Sequence, residues 1–241
     1  MPEIQLAAVS KYYEQDKKRI AAVEDVNLSV KQGEFVFVTG SSGAGKTTLL
    51  KLISGEISPD YGTVYLNGVP MNGFSRRIWQ RKHCFFGRVP QLSQLVKQRT
   101  IQENLTAIAM VRDGRAIGSV QQRVQKVLAM VGLSGVEERY PLELSLGECR
   151  RIELAGAIIN SPAILVLDEL TANLDEDTTW DVFHLLEEMN HRGTTVIMAT
   201  HAKAFVNMLR KRVITLMDGH IVGDVEKGRY GDISLTKRSD S

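Results

Sequence analysis

The apolar positions follow three rhythms, and each predicts one kind of element. Ile4 to Val9 and Val26 to Val30 read as strands, and the polar stretch Glu14 to Arg19 between them reads as a hairpin connection. Phe35 to Thr39 and Ile164 to Leu167 are short apolar runs of the kind that fills strands buried on both faces. Thr63 to Leu66, closed by Asn67-Gly68, and Cys84 to Val89 read as further strands. Helical spacing then takes over. Thr100 to Val111 forms one helix, and Ser119 to Val131 a second, with Val120, Val124, Val127, Leu128 and Val131 at helical spacing; Asp113-Gly114 separates them. After a helix over Arg150 to Asn160, bounded by Ser161-Pro162, strand and helix alternate. Asp177 to Met189 is helical, Thr194 to Ala199 a strand and Ala202 to Leu209 a helix. Val213 to Met217 is a strand that Asp218-Gly219 turns into Ile221-Val222. The pattern predicts an α/β fold: a parallel-sheet core with an antiparallel β flank, arranged as a single domain over 1–241. A helical subdomain at about 92–160 interrupts it, and a flexible polar tail is expected at about 227–241.

Between the run Phe35 to Thr39 and the helix-like Thr48 to Ile53 lie Gly40, Ser41, Ser42, Gly43, Ala44, Gly45, Lys46 and Thr47, which fit Gly-x-x-x-x-Gly-Lys-[Ser/Thr]. Glycines let the backbone wrap so that successive N–H groups point at phosphate oxygens, and the following helix adds its positive end. Lys46 supplies a point charge to the β- and γ-phosphates, and the Thr47 hydroxyl is a ligand for Mg²⁺. Such a loop needs a second, acidic element. Ile164 to Glu169 offers one at a strand's carboxyl end, where open α/β sheets bind ligands. Asp168 is the carboxylate expected to hold a metal-bound water, and Glu169 the candidate general base for the attacking water.

Composition narrows the partners. With 241 residues and 43% hydrophobic content, the chain can bury a large core, and a net charge of +2 gives no ground for a nucleic-acid partner. The span Tyr61 to Gln102 contains no Asp or Glu but holds Arg76, Arg77, Arg81, Lys82, Arg88, Lys97 and Arg99, which suits anionic lipid or an acidic segment as well as an ordinary solvated face. Cys84 and Cys149 stand in unrelated contexts and make no disulfide framework, so a reduced, cytosolic setting is expected. Met1 to Ser10 includes Glu3 and Gln5 and has no apolar leader segment, and no window approaches the roughly 18 apolar residues of a spanning helix. An unexported chain is expected, with docking on a membrane protein left open.

The order of the motifs is more specific than any one of them. GSSGAGKT is followed by Gln91, LSLGE at Leu144 to Glu148, ILVLDE, Thr171-Ala172-Asn173-Leu174-Asp175 and His201. Over nearly its whole length the chain resembles ABC-type ATPases. The resemblance implies a P-loop NTPase core with ATP and Mg²⁺ as ligands. ATP contacts would come from Gly40 to Thr47, Thr48 and Gln91, and metal contacts from Thr47, Gln91 and, through water, Asp168. It assigns Tyr13 to stacking on adenine, with Tyr12 as the competing choice, and His201 to the switch position at the γ-phosphate. Ser145, Gly147 and Glu148 would contact the opposite protomer's ATP, and Asp175 would belong to the loop joining protomers. A homodimer in the ATP state follows, because each ATP is sandwiched between one copy's phosphate loop and the other's signature.

Within that family, SSGAGKTTLLKLISGE, TANLD, TVIMATH at Thr195 to His201 and LMDGHI at Leu216 to Ile221 resemble the cell-division ATPases of the FtsE family, which work with the membrane protein FtsX. That implies a cytoplasmic protein peripheral to the inner face of the bacterial membrane, with Arg76, Arg77 and Arg81 available to anionic lipid. Lipoprotein-release and macrolide-export ATPases share much of the pattern, and an ATP-gated dimerising scaffold with little hydrolysis is a further alternative. Two departures stand out. Leu146 replaces the first glycine of the usual Leu-Ser-Gly-Gly signature, and Leu170 replaces the proline after the catalytic Glu. Leu146 adds bulk beside the signature's approach to the opposite ATP and removes the freedom a glycine has at positive φ; weakened contact and slow turnover are expected, with the alternative that the helix lets Leu146 point away and leaves the rate normal. Cys149, near a helix start, is either a small packing residue or a thiol made reactive by the helix dipole.

Overall fold

In the computed structural model the described residues are 2–15, 17–71, 85–113, 117–172 and 174–233. Arg76, Arg77, Arg81, Lys82, Cys84, Gly114 and Asn173 lie outside them. In chain order the elements are β1 (Pro2–Gln15), β2 (Lys18–Lys31), β3 (Phe35–Gly40), α1 (Lys46–Ile53), β4 (Tyr61–Leu66), β5 (Val69–Pro70), β6 (Phe86–Val89), α2 (Ile101–Asp113), α3 (Ile117–Met130), a 3-10 turn at Pro141–Glu143, α4 (Leu146–Ile158), β7 (Ile164–Asp168), α5 (Glu176–His191), β8 (Thr195–Ala199), α6 (Lys203–Leu209), β9 (Arg212–Met217) and β10 (His220–Val225). They group into two compact units, Met1–Phe74 with Thr195–Ser241, and Ser75–Thr194.

The first unit holds two sheets. In one, β1 pairs antiparallel with β2 (Leu6↔Leu28, Tyr13↔Ile20) and with β4 (Leu6↔Val64), and β5 adds to β4 through a turn in which Asn67 and Gly68 both have positive φ. Both long strands run beyond the expected Ile4 to Val9 and Val26 to Val30. The reason is a bulge. Ala8 and Asp25 adopt φ of 48° and 46°, Ala8 N–H donates to Asn27 Oδ1 at 2.9 Å, and Asp25 N–H donates to Ser10 Oγ at 3.0 Å. The bulge slips the alternation by one residue, so a strict period of two ends at Val9 while the ladder continues to Gln15↔Lys18.

In the other sheet β3 lies between parallel neighbours, with Val38 paired to both Ala199 of β8 and Ile214 of β9, and β10 closes the edge antiparallel to β9. Val36, Phe37, Val38, Ile197, Met198, Val213 and Ile214 are fully buried, as their unbroken apolar runs require. Arg212, at the start of β9, is buried between two carboxylates. Its Nη1 donates to Glu34 Oε1 at 3.0 Å and to the Ser29 carbonyl at 2.8 Å, while Nε and Nη2 grip Asp224 at 2.6 and 2.7 Å. Burial alone would lower its pKa, but the bonds to Asp224 and Glu34 outweigh it and raise the value, so the guanidinium stays charged.

The second unit sets α2, α3 and α4 against one another and β6 against α4. Ile101, Leu105 and Ala109 of α2, Val120, Val124 and Leu128 of α3, and Ile152, Leu154 and Ala155 of α4 form its apolar centre. β6 runs parallel to β7 from Phe86↔Ile164 to Val89↔Leu167. α4 begins at Leu146, earlier than the expected Arg150, because Ser145 caps it.

Candidate functional site

β3 ends at Gly40 and α1 starts at Lys46, and the loop between them is fenced by backbone on two sides. Gly40 and Gly45 hold φ of 146° and 102°. A Cβ on Gly40 would collide with the Leu216 carbonyl, and one on Gly45 with the Ala22 carbonyl, so both positions exclude any side chain. At Gly43 the space outside the loop is open. Ser41 and Ser42 are exposed, Ala44 is buried beneath them, and Thr47 and Thr48 are half-exposed in the first turn of α1. That turn contains no acidic residue and no side-chain cap, so its N–H groups face the loop without an anion supplied by the chain. Lys46 is buried, and its Nζ donates to the carbonyls of Gly40 at 3.0 Å and Ser41 at 2.9 Å. These residues fit a phosphate group: donors converge, a cation closes the ring, and no carboxylate competes.

β8 runs parallel to β3, so His201 leaves the sheet at the same carboxyl edge as Gly40. Its Nε2 lies 3.4 Å from Lys46 Nζ, and its Nδ1 lies 2.9 Å from the Tyr230 hydroxyl. Sequence reasoning missed Tyr230, since a single tyrosine in a polar tail carries no signal. Of the tail expected to be flexible over about 227–241, residues 234–241 lie outside the described ones, and the part before them is tied down: Gly228 N–H donates to the Lys211 carbonyl at 3.1 Å, Tyr230 N–H to Asn207 Oδ1 at 2.8 Å, and Thr215 Oγ1 to the Asp232 carbonyl at 2.7 Å. Of the two candidate aromatics, Tyr12 is engaged. It meets Tyr61 edge to face, lies under the Arg19 guanidinium at 4.2 Å and donates to Glu24 at 3.2 Å. Tyr13, on the opposite face of β1, is 45% exposed.

In the second unit the register Val89↔Leu167 brings Gln91 and the pair Asp168, Glu169 out at one carboxyl edge. Both carboxylates are buried, and Leu170 behind them is completely so. Glu169 adopts φ of 53°, a conformation that costs a side-chain-bearing residue about 1–3 kcal/mol and clusters at functional sites. The Gln91 side chain is exposed, but its backbone is held from α4. Arg150 donates to the carbonyls of Pro90, at 2.9 Å, and Gln91, and its Nη1 also meets Glu153 Oε2 at 2.7 Å. Glu153 Oε1 accepts from Gln94 N–H at 3.1 Å. The i,i+3 spacing of Arg150 and Glu153 was visible in the sequence, but their burial was not. Among the described residues no cluster of three or more His, Cys, Asp or Glu could hold a metal. Mg²⁺ does not need one, since it keeps most of its waters and binds through a hydroxyl, one or two carboxylates and substrate phosphates.

The signature residues form a capping box. Ser145 Oγ accepts from Glu148 N–H at 3.2 Å and donates to Glu148 Oε2 at 2.7 Å, while Ser145 N–H donates to the same carboxylate at 2.8 Å. Leu146 is therefore the first residue of α4, with no positive φ and a side chain 54% exposed. The expected loss of glycine's freedom does not arise, because this position has ordinary helical geometry. A Cβ on Gly147 would meet Leu174 Cδ2 at 3.3 Å. Asp175 caps α5 in the same manner, accepting from Thr178 N–H at 2.8 Å and Thr178 Oγ1 at 2.7 Å. These bonds hold its carboxyl below the usual aspartate range. Cys149 is buried, its Sγ 3.5 Å from the Pro141 carbonyl, and burial pushes its pKa up. Burial, with Glu153 and Glu148 nearby, favours the packing reading of this thiol over the reactive one.

The ABC transporter family profile matches residues 23–172. The chain is 40% identical over 210 residues to the cell division ATP-binding protein FtsE of Streptococcus pneumoniae, covering 87% of this chain and 91% of that one. It is 38% identical over 228 residues to FtsE of Mycobacterium tuberculosis, covering 95% and 98%. Among solved structures, the dimeric bacterial ABC transporter cassette MJ0796 superposes with a TM-score of 0.87 at 30% identity, covering 94% of this chain and all of that one. The same cassette in a post-hydrolysis state, bound to ADP and Pi, gives 0.86 at 29% identity with the same coverage. A glycine cradle with a buried lysine, followed by a buried Asp-Glu at a strand end, on a chain this similar to those proteins, belongs to the ABC transporter family, as an FtsE-like cassette of P-loop α/β fold that binds and hydrolyses ATP.

Proposed function

We propose that the cassette works as a homodimer in its ATP state at the inner face of a bacterial cell membrane, where its closing and opening acts on an integral membrane partner of FtsX type during cell division. The observation that carries the ATP chemistry is Lys46, buried and bonded to its own loop's carbonyls at 2.9 and 3.0 Å. An ammonium so placed exchanges two neutral acceptors for charged phosphate oxygens without moving far, and charge-assisted bonds are the stronger ones.

In this reading the N–H groups of Gly40 to Thr47 and the Thr48 side of α1 hold the phosphates, and Tyr13 offers its exposed ring to adenine. Thr47, Gln91 and, through water, Asp168 hold Mg²⁺, which when bound neutralises charge on the β- and γ-phosphates. Glu169 accepts the proton of the water that attacks the γ-phosphorus, and His201 bonds the γ-phosphate oxygens. Ser145, Gly147 and Glu148 of a second copy cover the nucleotide, with Asp175 near the junction. The relatives named for cell division and the dimeric solved cassette support this reading.

For the membrane partner, the supporting feature is a groove of about 530 Å³ in the second unit, beside the Gln91 loop. Arg88, Leu95, Val96, Arg99, Ile108 and Val111 contribute to it. Val96, Ile108 and Val111 are exposed there, and the two arginines give it a basic rim. Apolar side chains together with cations suit an amphipathic cytoplasmic segment with acidic residues, and the sequence run that includes Arg76, Arg77 and Arg81 suits anionic headgroups.

The decisive experiment is Glu169→Gln. The variant should bind ATP and accumulate as a closed dimer in size-exclusion runs, while phosphate release falls by about 10²- to 10⁴-fold. Hydrolysis continuing at the wild-type rate would remove Glu169 from the role of base.

A further inference from the structure

We propose that Tyr230 is the positioning residue for His201, bonding Nδ1 of its imidazole both in the tautomer that Lys46 imposes and in the other, which a phosphate requires. The inference rests on reading His201 as the group at the γ-phosphate, and it adds a residue outside every motif discussed above. An ammonium has three donors and no acceptor. Nε2 of His201, 3.4 Å from Lys46 Nζ, therefore presents its lone pair to it. The neutral ring then carries its proton on Nδ1, and Nδ1–H donates to the Tyr230 oxygen 2.9 Å away.

A terminal phosphate reverses the demand on Nε2. Phosphate oxygens only accept, so the nitrogen that met Lys46 as an acceptor must now donate. One proton leaves Nδ1 and one is taken up at Nε2, both exchanged with water, which the exposed imidazole reaches. A backbone carbonyl or a carboxylate at Nδ1 would oppose that change, because it can only accept. A hydroxyl both donates and accepts, so Tyr230 turns its O–H toward Nδ1 and the bond is kept in either state.

The tyrosine is fixed well enough for this work. Its N–H donates to Asn207 Oδ1 at 2.8 Å on α6, the helix that directly follows His201, and Lys203 of that helix places its Nζ 5.3 Å from the ring centre. Arg229 N–H donates to Asp232 Oδ2 at 2.7 Å, and the Asp232 carbonyl accepts from Thr215 on β9. The segment around Tyr230 is thus held from a helix and a strand, Lys203 lies over the ring, and the hydroxyl can rotate about its C–O bond.

The test is Tyr230→Phe in the full chain, read by ¹⁵N-histidine NMR without nucleotide and by steady-state ATP turnover. Wild type should show His201 as the Nδ1–H tautomer and move to Nε2–H when a slowly hydrolysed ATP analogue and Mg²⁺ are added. The variant should keep the Nδ1–H form that Lys46 imposes, but its Nδ1 resonance should shift for want of a partner, and kcat should fall about tenfold, the order seen when a partner that orients a metal-bound histidine is removed. Its KM for ATP should stay near wild type, since Lys46 and the loop are untouched. An Nε2–H ring in nucleotide-free wild type, or a Tyr230→Phe variant with both the wild-type Nδ1 shift and the wild-type kcat, would overturn the proposal. His201→Ala separates the two layers. Full turnover in that variant would remove His201 from the γ-phosphate, whereas the tautomer result stands or falls without reference to turnover.

Discussion

Glu148 carries two duties on one side chain. Its carboxylate accepts from the hydroxyl and the N–H of Ser145, and these bonds, with Arg151 and Arg139 adding to them, hold it below the usual glutamate range. A carboxylate lowered in this way stabilises the folded state at every pH above the ordinary glutamate value of about 4.3, and the contribution drains away as pH falls through the lower folded value. Glu148→Gln should therefore flatten the acid limb of stability below that point, followed as the urea midpoint against pH. An acid limb as steep as wild type would place its origin elsewhere. The sequence spells this cap openly as Ser-x-x-Glu. In the proposed dimer, Ser145 would meet a second copy's nucleotide from a helix start that already uses that serine.

At the scale of elements, α4 does more than carry the signature at its start. A turn later Arg150 and Glu153, with side chains 7% and 6% exposed, clamp the backbone of the segment from Pro90 to Gln94. Removing one partner of a buried pair typically costs about 3–5 kcal/mol, because the other is left charged and unmatched. Glu153→Ala should lower the unfolding midpoint accordingly and raise the hydrogen-exchange rate of the Gln94 amide, which loses its acceptor. Unchanged protection at Gln94 would show that the clamp does not hold the loop. How much of this was readable varies by element. The strand and helix flanking the phosphate loop, and the Asn67-Gly68 and Asp218-Gly219 turns, follow from local pattern alone, since glycine and apolar runs impose the same geometry in most contexts. The continuation of β1 and β2 past the bulge was hidden, because a slipped residue breaks the period by which a strand is recognised. The Tyr230 contact was hidden for a different reason: 29 positions separate it from His201, and no local rule spans that distance.

On the scale of the whole molecule, the second unit offers an apolar, basic-rimmed groove, and no helix among the described residues is long and apolar enough to cross a membrane. On the proposed docking to an integral partner and its lipids, replacing Arg76, Arg77 and Arg81 with Ala should reduce co-purification with the partner from detergent extracts, and more so at raised salt. Undiminished recovery would count against a role for these arginines in docking. The first unit has its own dependence on residues far along the chain. The Asp232 backbone lies so close to Gly223 that a Cβ there would collide with its carbonyl, and Thr215, which donates to that carbonyl, faces Thr39 at 3.1 Å at the end of β3. The last described residues therefore pack against β9 and β10 and reach the strand that feeds the phosphate loop through Thr215. Where a purification tag is joined, or how far a protease trims that end, then decides whether β3 and His201 keep their braces.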